Sequence, residues 1–268
     1  MSARELITEV YRRNPVLALT GWFHLALLGA FIGIAFFDGR TVTGLNPWIK
    51  PSKFAVSIAI YTFTLAWFLP YVARYRRTVQ FISWSTAIVF VGEMVCVISQ
   101  AARGVPSHFN ISSAYDATVF GIMGMLITFN TLLVLITLLL FWKGRTAPLA
   151  PAYLWGIRLG VLLFLLSSIE GFAIVNNMGH TVGLPDGGAG LPVVNWSTRA
   201  GDLRIAHFLG FHALQVLPLT GYIFSRWRSD AVQRRAVAFV LALGLIYFIV
   251  FSLLFLQASH GRPLIAWL

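Results

Sequence analysis

Cysteine is almost missing from this chain: Cys96 is the only one in 268 residues. A lone thiol excludes an intramolecular disulfide framework, a CxxC redox pair and a c-type haem attachment motif. Charge is scarce too, at 11% of residues, and most of it is of one sign: twenty Lys and Arg against nine Asp and Glu. With 58% hydrophobic residues and a mean hydropathy of +0.78, so little charge excludes an ordinary soluble domain. The alternating ten-residue segments of a porin-type barrel are absent, as are a coiled coil and a low-complexity tail.

What the chain does have is long apolar runs. Seven are long enough to cross a hydrocarbon core as helices: Pro15–Phe37, Lys53–Ala73, Phe81–Gln100, Ala117–Trp142, Tyr153–Asn177, Ile205–Ser225 and Ala236–Gln257. Backbone groups in lipid must bond within their own segment, so the expected fold is an all-α integral membrane protein, one seven-transmembrane-helix bundle over residues 1–268. When the sides of the membrane are numbered alternately from the N-terminus, thirteen of the twenty basic residues fall on the first side and seven on the second. Clusters such as Arg74, Arg76 and Arg77 belong to the first side. The positive-inside rule then places the N-terminus in the cytoplasm and the C-terminus outside, with a bacterial inner membrane as the expected location. The net charge of +11 is thereby read as topology anchoring and contact with anionic lipid rather than nucleic-acid binding. Residues 1–14 are charged and amphipathic, and the apolar run after them is too long for a cleavable signal, so they read as an interfacial helix ahead of a cap at Asn14–Pro15. In the first run, Gly29 and Gly33 form a small-residue pair at the spacing that lets helices approach closely.

Ionisable residues inside apolar runs are expensive and are functional by default. Glu93 and Glu170 are the main ones. Glu93 lies seven residues before Gln100 and Glu170 seven before Asn177, which puts each carboxyl roughly 10 Å below the outer end of its helix. His212 falls at a similar depth, and Arg204, His207, His212 and Gln215 share one helical arc of about 140°. Asp202 reads as the cap of that helix and Pro218 as a kink within it. His108, His180 and His260 belong to the same outer side, whereas His24 reads as a core histidine with a ligand role as the alternative. Lys50 and Lys53 sit beside Pro51 at a helix start, a position suited either to interfacial lysines or to an anion. Residues 178–201, rich in Gly and Pro, read as an outer lid loop in which Asp186 caps backbone.

Two functions follow as expectations. In the first, the chain is a metal- or haem-dependent membrane enzyme, redox rather than hydrolytic, acting on a small or lipid-soluble substrate. Glu93, Glu170 and His212 would be the catalytic groups and metal ligands, with His207 or His260 completing the shell for iron, zinc or copper. Haem b is the variant in which imidazoles are axial and Lys50, Lys53 and Arg103 meet the propionates. Arg103, Arg204, Asn177, Gln215 and the two lysines would hold an anionic group. In the second, the same carboxylates relay protons in a transporter; a ligand-binding membrane sensor is a further alternative. Comparison with heliorhodopsins fails because the last apolar run has no lysine for a retinal Schiff base, and the five-residue histidine spacing in HFLGFH departs from seven-span zinc hydrolases of the alkaline-ceramidase type.

Overall fold

A computed structural model describes residues 2–143, 146–192, 194–226 and 230–265. Arg145 and Arg228, both counted above toward the cytoplasmic side, lie outside the described residues. Among the described residues the chain is helical apart from one two-stranded sheet and two isolated bridges. Six helical stretches among the described residues are long and apolar enough to cross a membrane; one of the six, Ile49–Arg103, is 55 residues long.

The chain divides into two compact units, Met1–Thr137 and Leu138–Leu268. The first opens with α1 (Ala3–Arg13), whose Ser2 and Glu5 form a reciprocal capping box. Asn14 then caps α2 (Pro15–Ala35) by accepting from the Leu17 amide, with Pro15 at the first helical position. The connection out of α2 is folded around Asp38. Its carboxylate accepts from Arg40 and from the Trp48 indole, and those two donors hold it well below the usual carboxylate range. α3 (Ile49–Phe68) starts four residues earlier than the apolar run predicts, so Lys50 and Lys53 lie inside its first turns. Pro70 and the non-helical Val72 break the chain into a 3-10 segment (Leu69–Tyr75) before α4 (Arg76–Arg103). α4 overshoots its apolar core at both ends because helical hydrogen bonding continues into polar sequence. It stops at Gly104, whose φ of +72° supplies the left-handed cap.

The second unit begins within α5 (Ala114–Lys143) and continues through α6 (Pro151–Asn176), α7 (Arg204–Ser225) and α8 (Asp230–Ser259). α6 and α7 pack backbone to backbone: a Cβ built on Gly156 would stand 2.5 Å from the Leu217 carbonyl oxygen, and one on Gly221 would stand 2.3 Å from that of Ala152. The small-residue pair expected to mediate close packing, Gly29 and Gly33, has nothing within 4 Å of such a Cβ, so that expectation is corrected. The motif marks close approach only where a neighbouring backbone fills the groove, and that condition is met at Gly156 and Gly160 instead.

The loop between α6 and α7 is built rather than structureless. β1 (Thr181–Val182) pairs antiparallel with β2 (Gly201–Asp202), and Gly190 bridges Ser197. Gly201 lies against the carbonyl of Ala258 at the end of α8, too close for any Cβ. As expected, Asp186 serves backbone, accepting from the amides of His180 and Thr181 as well as from the His180 ring. Asp202 fulfils part of its expected role, its carboxylate accepting from the Arg204 amide at the start of α7. It belongs to β2, the cap position of α7 is Leu203, and the fully buried Asp202 carboxylate pairs with Arg204 while accepting from the Ser197 amide. It ties the loop to the helix rather than ending the helix alone.

Burial pushes the Asp186 carboxyl up, but the His180 hydrogen bonds and charge and the Thr181 hydroxyl outweigh burial and hold it well below the ordinary range. A depressed carboxyl pKa contributes stability above the unfolded value of about 4 that is lost only as pH falls through the lower, folded value. Hydrogen-exchange protection of the His180 and Thr181 amides is therefore expected to hold from neutral pH down to about pH 4 and to collapse below it. Loss of protection well above that point would contradict the assigned bonds.

Candidate functional site

In the first unit the chemistry lies along one face of α4. Ser83, Thr86, Glu93 and Gln100 recur at spacings of three and seven residues, which returns them to one side of a helix, and all four are buried. At the start of this face the Asn14 amide donates to the Ser83 hydroxyl at 2.7 Å. Next comes Thr86, whose hydroxyl has no partner among the described residues. One turn before Glu93, the Phe90 carbonyl faces His24 Nε2 at 3.4 Å, and His24 Nδ1 faces the Thr20 carbonyl at 2.7 Å. Because both nitrogens of this fully buried ring address backbone of α2 and α4, the core reading of His24 fits.

Glu93 is 1% exposed, and neither carboxyl oxygen has a hydrogen-bond partner among the described residues. Buried carboxyls ordinarily find donors, so two bare oxygens on one group point to a proton or a ligand. At the end of the face Gln100 and Arg103 both donate to Asp116, which also accepts from the Ser113 hydroxyl. This Arg103–Asp116 junction was not foreseen. Its only trace in the sequence is an acidic residue in the first turn of an apolar helix. It also gives Arg103 a carboxylate partner, in place of the free guanidinium an anion site would want.

In the second unit Glu170 meets an imidazole, that of His207, with Nδ1 2.8 Å from Oε2. The geometry is set locally. Gly171 leaves room for the His207 ring, the Ser167 hydroxyl donates to the His207 carbonyl at 2.8 Å, and Phe211 lies against the ring at 4.2 Å. The other Glu170 oxygen, Oε1, has no described partner. His212, expected beside Glu170, instead turns Nδ1 onto the Phe208 carbonyl of its own helix. The two histidines are five positions apart on α7, and His207 is the one that meets α6. His260 likewise addresses its own helix at the Leu256 carbonyl. Asn177 donates to the carbonyls of Gly179 and Thr181, fixing the loop that follows α6. Arg204 is held by Asp202 and the Asn195 carbonyl. Gln215 lies half-buried two turns beyond His207.

The structure therefore brings together Glu170 with His207 in one unit and leaves Glu93 buried without a described partner in the other. Within either unit, no three His, Cys, Asp or Glu side chains among the described residues converge as a metal-binding group. Comparison with protein-family profiles, with curated proteins and with solved structures gives no match.

Proposed function

We propose that this chain is a proton-coupled membrane transporter in which buried carboxyls carry the proton. The observation that supports this reading is Glu93, buried with both oxygens unpartnered. A proton satisfies such a group with no further ligand, whereas iron, zinc or copper would require several more donors around it. Glu170 with His207 offers a second exchange group, a carboxylate oxygen bonded to an imidazole beside an oxygen left bare.

Seven spans in a bacterial inner membrane, with a cytoplasmic N-terminus, belong to the same reading. The 55-residue stretch Ile49–Arg103 would measure about 80 Å as one straight helix, against a hydrocarbon core of roughly 30 Å. Two crossings that turn at the 3-10 segment Leu69–Tyr75 account for that length.

The deciding experiment reconstitutes the purified chain in proteoliposomes enclosing a pH-sensitive dye, with an acidic exterior. Proton uptake that rises when candidate solutes are supplied is expected; uptake no faster than in empty vesicles, across cationic, neutral and anionic solutes, overturns the reading. A metal- or haem-dependent redox enzyme remains the second reading because Glu170 and His207 place one carboxylate oxygen and one imidazole nitrogen together. An absorption spectrum and elemental analysis of protein purified without chelator separate the two: a Soret band or stoichiometric metal would favour the enzyme.

A further inference from the structure

The hairpin loop that joins α6 to α7 encloses a cleft of about 370 Å³. That volume falls at the small end of ordinary ligand pockets. One part of its wall is polar, with Arg199, Arg204, Asn195 and Ser197; another is apolar, with Leu184, Pro185 and Ala189. Thr181, Asp186, Gly187 and Gly188 complete it, and the region a Cβ on Gly188 would occupy is open.

The charges in this wall are not equivalent. Arg204 is neutralised by the buried carboxylate of Asp202, and the Asp186 carboxylate is engaged by His180 and Thr181. The exposed Arg199 guanidinium has no hydrogen bond or ion pair with any described residue. The backbone N–H groups of Gly187, Gly188 and Ala189 likewise donate to no described residue. One uncompensated guanidinium, spare amide donors and an apolar wall make a site for a single anionic head on a short apolar body. Arginine meets a carboxylate through two parallel N–H bonds, so its planar fork suits that head.

The geometry points to this cleft as the binding site of a small organic monocarboxylate. A doubly charged anion such as phosphate would need a second free cation and would leave the apolar wall unused. The cleft also has a structural link to the proton chemistry. Arg204 lies three residues before His207 on α7, one turn and about 4.5 Å along the helix from the Glu170–His207 pair. Arg204, which lines the cleft, thus connects the proposed anion site along α7 to the group proposed to exchange protons. The assignment of this anion as the transported solute rests on the transporter reading; the binding site itself does not.

The test is calorimetric titration of the full chain in mild detergent, in buffer free of carboxylate and phosphate, with sodium butyrate as the probe. Saturable binding of butyrate is expected, with none of the neutral isostere butyramide. Arg199→Ala, at an exposed position where folding is undisturbed, is expected to weaken butyrate at least about tenfold, the loss typical of a charge-assisted bond, and Arg199→Lys to fall between. No saturable butyrate binding, equal affinity in Arg199→Ala, or tighter binding of inorganic phosphate would each overturn the assignment. Because this measurement requires no transport, butyrate binding by a chain inactive in proteoliposomes would refute the transporter reading and leave the site standing.

Discussion

Glu93→Gln is expected to lower proton uptake in proteoliposomes about a hundredfold, the lower end of what removal of a positioned proton-transfer group costs. Glutamine matches the shape of glutamate but cannot take up and release a proton at the same place. The surroundings of Glu93 make the comparison clean, since no described side chain or backbone group bonds its oxygens and no network is dismantled with it. The parent carboxyl and the substituted amide are both buried without described partners, so the change in stability should stay within about 1 kcal/mol. Circular dichroism and gel filtration of the variant then separate misfolding from loss of function. Butyrate affinity provides a second control, since Arg199 lies far along the chain in the other unit and is expected to be unaffected. Uptake by Glu93→Gln equal to that of the parent chain, in folded protein, would remove Glu93 from the mechanism.

Much of the fold can be read from the residues because lipid-compatible helices announce themselves by length and composition alone. The α2 start at Asn14–Pro15 and the polar positions Glu93 and Glu170 follow from local chemistry, and the structure has each in place, whereas the run read through to Ala73 is broken at Pro70. The pairing of side chains across helices is a different matter. The helical arc from Arg204 to Gln215 is correct as an arc, yet it cannot show which of its members meets α6. That depends on the closeness of α6 and α7, which turns His207 rather than His212 toward Glu170. The build of the loop between α6 and α7 was hidden for another reason. Two-residue strands carry no periodicity, and the bonds that order the loop come from Asp186 and Asp202, each binding groups two to six residues away. Arg199 showed in the sequence only as one basic residue among twenty, because a free guanidinium becomes conspicuous only when its neighbours are seen to be paired.

The same dependence on helix spacing makes Gly156→Val a strongly damaging packing change. A Cβ at Gly156 stands 2.5 Å from the Leu217 carbonyl oxygen, 2.9 Å from the Pro218 Cα and 3.0 Å from the Leu217 carbonyl carbon. All three are backbone atoms, so no rotamer change relieves the contact and α7 must move away. Overpacking of this kind costs about 3 kcal/mol, the upper part of its usual range, and the midpoint of thermal unfolding in detergent should fall by on the order of 10 °C. The displacement has a chemical consequence as well. Glu170 and His207 are 2.8 Å apart because α6 and α7 approach through Gly156, Gly160 and Gly221, so separating the helices lengthens that bond and alters proton exchange at the pair. Gly33→Val is the matched control: it makes the same change in a membrane-length helix, at a position with nothing within 4 Å, and its effect should stay within about 0.5 kcal/mol. Equal melting of the two variants would mean that α6 and α7 are not held at the spacing described, and the Glu170–His207 contact would lose its structural basis with it.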